Sequence, residues 1–185
     1  DHLDKASIKQ LAAKTTQFLV PLGVETDLQK WGVAAENIQR FDWWQELHTD
    51  KALIAFTPTQ HFSGRGIGDG NTTLWGSWVI KTLAGAVYFS GDSGYFDGFK
   101  QIGNKYGPFD LAILECGQYN TNWANIHSMP EEVVQIAKDL HAKTFIPVHW
   151  AKFKLAMHDW DDASPDELRA RCVAARQRYE AHFTD

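Results

Sequence analysis

The sequence predicts a mixed α/β domain in which sheets are covered by helices. In the first half, short apolar and β-branched runs follow one another across brief turns, as locally paired strands do. In the second half such runs alternate with stretches of helical period. A third observation is residues 86–95, AVYFSGDSGY, around which the chain is organised. The apolar run Val87, Tyr88, Phe89 breaks into Ser90-Gly91-Asp92-Ser93-Gly94, so a buried strand delivers the Asp92 carboxylate into a glycine-permitted turn.

In order, residues 7–16 place Ile8, Leu11 and Ala12 at helical spacing behind Ser7, a residue type that caps helices. Residues 18–22 read as a strand stopped by Pro21 and Gly23, and residues 24–32 as a short helix ending at its glycine. Residues 38–47, with the Trp43-Trp44 pair, and 52–57 read as strands. Residues 59–73 form a glycine-rich loop holding His61 and Arg65, and loops of that length are usually functional or mobile. Strands 74–83 and 86–90 are joined as a hairpin through Ala84-Gly85. Helix 95–106, the buried strand 111–114, helix 130–140 and strand 145–148 follow. Ser128 and Glu131 stand in capping-box spacing with Pro130 in the first turn. Ser164 and Glu167 repeat the box and open a last helix with Leu168, Cys172, Ala175 and Tyr179 on one stripe. There is no internal repeat or linker, so residues 1–185 read as a single domain.

Composition narrows the function. With 44% hydrophobic residues the chain can bury one sizeable core. Its 18 basic against 23 acidic residues give a net charge of -5, which argues against a nucleic-acid partner. Cys116 and Cys172 have neither metal-ligand nor disulfide-framework spacing, which suits a reducing compartment. No apolar run reaches the ~18 residues of a transmembrane segment. The expected location is cytoplasmic, or peripheral to a membrane. The eight Trp, eleven Phe and five Tyr suit either pocket walls or a large aromatic core.

The candidate chemical residues share one grammar. His61 follows strand 52–57, Asp92 follows Phe89 and His149 follows strand 145–148, while Asp1-His2 stands beside a helix start. Strand ends at one sheet edge converge on a crevice, so these side chains are expected to meet. Imidazoles and carboxylates without thiolates are the donor set of catalytic zinc, or of iron and manganese. His48, His141, His158 and His182 read as ordinary surface or core histidines. His127 sits just before a capped helix, whose positive end disfavours protonation, so a neutral imidazole orienting a substrate group fits, as does a residue that simply helps terminate the loop. Arg65 has the fork geometry that matches a phosphate, though a solvated arginine fits equally well. Tyr119, Asn120 and Trp123 are candidate pocket walls, and Cys116 reads as an inert thiol.

Asp1-His2 resembles the last two residues of the H-x-H-x-D-H motif of the metallo-β-lactamase superfamily, and His61, Asp92 and His149 follow in that superfamily's order. The closer resemblance is to the branch containing N-acylphosphatidylethanolamine-hydrolysing phospholipase D and its bacterial relatives. Its marks are Gln60-His61, Leu74-Trp75-Gly76-Ser77-Trp78, Ser90-Gly91-Asp92-Ser93-Gly94-Tyr95, Tyr106-Gly107-Pro108-Phe109-Asp110-Leu111, His127-x-x-Pro130-Glu131-Glu132 and His149-Trp150. The resemblance implies an αββα sandwich, truncated at the N-terminus and beginning inside that motif. It implies two zinc ions, one held by Asp1, His2 and His149, bridged by Asp92 to another held by His61 and two histidines this sequence does not contain. The implied reaction is hydrolysis of a phosphodiester such as a phospholipid by a metal-bridged hydroxide, with Asp92 and His127 catalytic and Arg65, Tyr119 and Trp123 against the substrate. A lactonase of the same superfamily and a catalytically inactive binding module are the alternatives. A truncated sandwich is also expected to associate with another chain or with a missing N-terminal segment.

Overall fold

A computed structural model describes residues 2–150. Asp1, the expected helix opened by Ser164 and Glu167, Cys172, His158 and His182 lie outside the described residues. The elements are α1 (Lys5–Ala12), β1 (Phe18–Pro21), α2 (Glu25–Lys30), β2 (Ile38–Phe41), β3 (Glu46–His48), β4 (Ala52–Thr57), β5 (Ser77–Thr82), β6 (Gly85–Phe89), α3 (Gly98–Tyr106), β7 (Leu111–Glu115), α4 (Pro130–Asp139) and β8 (Phe145–Val148).

Strands β3 to β8 form one six-stranded sheet in sequence order, and β1 and β2 pair separately as a parallel two-stranded sheet. From β3 to β6 the pairing is antiparallel, and β6, β7 and β8 are parallel with α3 and α4 as crossovers. This is the change of grammar between the two halves of the sequence: adjacent strands need only a turn, whereas parallel neighbours need a crossover helix. Strand β4 runs parallel to β6, because both are antiparallel to β5. The carboxyl ends of β4, β6, β7 and β8 therefore share one edge.

The core lies on one face of this sheet. Val79, Tyr88, Ala112 and Leu114 alternate inward along their strands and meet Phe99, Ile102 and Tyr106 of α3 and Val133, Ile136 and Ala137 of α4. Tyr88, Phe99, Ile102 and Leu114 are fully buried. A smaller cluster of Ile8, Val20, Leu28 and Val33 ties α1 and α2 to the two-stranded sheet.

Three local expectations are corrected. The strand expected over residues 38–47 is two strands in two sheets. Trp44 takes a φ of 68°, and the Gln45 side chain accepts from the Asp42 N–H, so the chain turns there. Helix α1 starts earlier than Ser7, because Asp4 is the cap and its carboxylate accepts from the Ser7 N–H at 2.6 Å. The box on α4 sits one residue later than Ser128 and Glu131: Glu132 accepts from the Met129 N–H at 2.8 Å. Ser128 is free for another task, donating its hydroxyl to the Ser93 carbonyl at 2.7 Å. None of the described helices is long and apolar enough to cross a membrane.

Candidate metal centre

The shared strand edge gathers the candidate residues. Asp92 leaves β6 in a turn that needs Gly91, whose φ is 61° and whose position would put a Cβ 2.8 Å from the Gly76 carbonyl. Three hydrogen bonds then bind the neighbouring loops together. The Gln60 N–H donates to Ser93 Oγ at 3.0 Å, the Gly94 N–H to the Gln60 carbonyl at 3.0 Å, and the Gln60 side-chain amide to the Asn125 carbonyl at 2.9 Å. With the Ser128–Ser93 bond they hold the His61, Asp92 and His127 loops in one register.

His2, His61, Asp92, His127 and His149 line a cavity of about 240 Å³ with Trp123 on its wall. An adjoining cavity of about 460 Å³ shares His2, His61, Asp92 and His149 and adds Trp75 and Phe89. His2 Nε2 lies 3.0 Å from Asp92 Oδ2, His149 Nε2 lies 3.7 Å from the same oxygen, and the two Nε2 atoms are 3.2 Å apart. A tetrahedral ion with bonds of about 2.0–2.1 Å sets neighbouring donor atoms about 3.3 Å apart, which is the mean spacing of this triangle. His61 supplies a further donor. Its Nδ1 donates to the Phe62 carbonyl at 2.9 Å, leaving Nε2 buried and without a hydrogen-bond partner. A buried imidazole nitrogen is costly to leave unpaired, and a cation would satisfy it. The residues present therefore fit a metal ion.

The carboxylate that completes the site is Glu115, the last residue of β7, which the sequence reading passed over. It is 3% exposed. Oε1 lies 3.1 Å from His127 Nδ1 and 3.5 Å from His149 Nδ1, and Oε2 accepts from the Ser128 N–H at 3.2 Å. Burial raises its pKa, but the hydrogen bond from His127 and the nearby His149 ring outweigh burial and hold it below the ordinary glutamate value. Burial likewise lowers His149, yet Glu115 and the Asp92 charge more than offset this and raise it above the ordinary histidine value. For His61 burial dominates and the imidazole is shifted down. Its available signal was the same strand-end grammar, since LAILE closes a buried strand on a carboxylate.

His149 is also held through its backbone. Its φ is 70°, and its carbonyl passes where a Cβ of Gly117 would stand, 1.8 Å away. Strained residues of this kind persist where the surroundings over-determine them, commonly at functional sites.

Other expected site residues are placed elsewhere. Arg65 lines a separate cavity of about 400 Å³ with Lys30 and Asp69 and lies over the Trp31 ring, although Phe62 and Trp75 border both spaces. Tyr119 is 6% exposed within the main core. Asn120 caps the turn before Trp123, accepting from the Asn122 N–H. Cys116 is buried. His48 pairs with Glu46 and His141 is exposed, both away from the cavity.

A carboxylate flanked by imidazoles at the carboxyl ends of parallel strands defines the class: an α/β protein with a histidine–carboxylate cluster that could hold a cation. The chain belongs to the β-lactamase superfamily domain family, whose model matches residues 1–150. It is 43% identical over 166 residues to an uncharacterized protein of Mycobacterium tuberculosis, covering 88% of this chain and 44% of that protein. It is 31% identical over 195 residues to N-acyl-phosphatidylethanolamine-hydrolyzing phospholipase D 1 of Caenorhabditis elegans, covering 99% of this chain and 55% of that one. The chain thus spans about half the length of these relatives. In fold it is similar to the metallo hydrolase Igni18 of Ignicoccus hospitalis, with a TM-score of 0.68 at 22% identity over 92% of this chain and 66% of that chain.

Proposed function

We propose that this chain carries the site of a zinc-dependent hydrolase acting on a phosphodiester, with a phospholipid as the substrate class. The observation that supports it most is the triangle of His2 Nε2, Asp92 Oδ2 and His149 Nε2, with edges of 3.0 to 3.7 Å. His2, His149 and Asp92 would hold one ion, and Asp92 with His61 would contribute to a second. When bound, such ions supply Lewis acidity and lower the pKa of water towards 7. Asp92 adds negative charge between the positions, and an asparagine would keep its shape while losing that charge. His127 points Nδ1 at Glu115, which leaves Nε2 as the nitrogen available to the cavity. A neutral imidazole in that state accepts a hydrogen bond from an attacking water or a substrate hydroxyl. Trp123, Ile126 and Phe62 supply an apolar wall suited to an acyl chain and to excluding water. The 31% identity to the worm phospholipase D supports the phosphodiester reading.

The test measures zinc content of the intact protein and its rates on an N-acylphosphatidylethanolamine and on a lactone. Phosphodiester hydrolysis that stops with a chelator and returns with zinc is expected. Asp92→Asn should abolish turnover with an unchanged circular dichroism spectrum. Turnover of the lactone alone would replace the proposal with a lactonase. A protein that binds no zinc and cleaves neither compound would be a binding module.

A further inference from the structure

We propose that Glu115 is the positioning carboxylate of this site, holding the Nδ1–H groups of His127 and His149 together and so fixing both rings with Nε2 towards the cavity. The inference rests on the hydrolase reading for its importance, but its geometry is independent of the substrate.

Glu115 is buried at the end of β7, and its two oxygens face four donors: His127 Nδ1 at 3.1 Å, His149 Nδ1 at 3.5 Å, the Ser128 N–H at 3.2 Å and the Gly117 N–H at 3.4 Å. Three of these donors converge on Oε1 and the Ser128 N–H meets Oε2, so the buried carboxylate is surrounded by donors. Its own N–H donates to Ser90 Oγ at 2.9 Å, which ties it to the strand end that delivers Asp92. His149 Nδ1 is buried and has no completed hydrogen bond, and Glu115 Oε1 stands 3.5 Å away. Bonds of this kind are often long in a ligand-free site and tighten when the far nitrogen is engaged. The His127 and His149 rings lie stacked, 5.6 Å between centroids and 21° between planes, with both Nδ1 atoms on the Glu115 side.

One carboxylate therefore sets the tautomer of a ring that faces the cation position and of a ring that faces the cavity. A histidine that ligates through Nε2 needs its proton on Nδ1, and an acceptor there raises its basicity and fixes its plane. Glutamine at 115 keeps the volume but replaces one accepting oxygen with a donor that opposes the neighbouring N–H groups.

Two measurements decide it. Imidazole nitrogen NMR of the zinc-free wild-type protein at alkaline pH should show His127 and His149 both as Nδ1–H tautomers. Either ring found as the Nε2–H form overturns the proposal, with no variant required. Glu115→Gln should bind zinc about 10–100-fold more weakly in chelator competition, with Glu115→Asp recovering part of the loss. In the same variant kcat should fall more than KM rises. Wild-type zinc affinity in a folded Glu115→Gln protein overturns the proposal. A wild-type protein with the expected tautomers and zinc affinity that cleaves neither test compound would overturn the hydrolase reading alone.

Discussion

Gly117→Ala is the sharpest test of how the site is held. A Cβ built at Gly117 stands 1.8 Å from the His149 carbonyl oxygen, 2.4 Å from its carbon and 2.7 Å from Trp150 Cα, all backbone atoms that no rotamer change can move aside. Real Cβ atoms essentially never approach below 3.0 Å, so the His149 backbone has to retreat by about 1.2 Å, the difference between 1.8 and 3.0 Å. A metal ligand keeps its distance within about 0.2 Å, and a displacement of about 1 Å in a reacting site costs on the order of 10²-fold. Zinc affinity and turnover should each fall by about that factor. The overpacking should cost only about 1–3 kcal/mol of stability, leaving a folded protein. Chelator competition, steady-state kinetics and a thermal melt read the three quantities. Gly70→Ala is the control, since a Cβ there meets nothing within 4 Å. Unchanged zinc affinity in Gly117→Ala would refute the argument that the β7 exit positions His149.

Phe99, fully buried between Tyr88 and Phe96, should cost about 3–5 kcal/mol when changed to Ala, measured by denaturant unfolding. His127→Ala should lower kcat by about 10²–10⁴-fold with zinc content unchanged, and wild-type turnover would remove His127 from the mechanism. Glu46 is held at about 2, below its ordinary 4.5, by hydrogen bonds from Lys105, then Tyr106 and His48. Being more acidic folded than unfolded, it contributes its full stability above pH 4.5 and loses it as pH falls from 4.5 towards 2. Solvent screening limits this to about 1 kcal/mol or less, and Glu46→Gln should flatten the stability profile over that window.

How much of this was legible depended on whether the signal was local. The apolar runs of β4, β6 and β7 and the apolar stripes of α3 and α4 are local, and the structure places those elements within a few residues of their expected bounds. The strand-end rule also carried far, because parallel strands share an edge wherever the crossovers go, and it brought His61, Asp92 and His149 together across 89 positions of sequence. What was not legible depended on competition between partners. Ser7 and Asp4 both suit a cap, and the carboxylate takes the place. Arg65 and Tyr119 have residue types suited to a substrate, yet packing puts one over Trp31 and the other in the core.

Glu115 shows where the rule was applied too narrowly. Read as the tail of an apolar strand ending at Leu114, it looks like a solvated edge residue; counted as the strand's last position, it is a fourth carboxylate or imidazole in the same edge position as His61, Asp92 and His149. Cys116-Gly117 after it then acquires a reason. Cys116 is small and apolar enough to be buried, and Gly117 lacks the side chain that would strike His149. The same three residues thus set a carboxylate oxygen 3.5 Å from the His149 ring on one side and leave room for its backbone on the other. The geometry of the His2–Asp92–His149 triangle therefore depends on the end of β7 as well as on β6 and β8, which deliver Asp92 and His149.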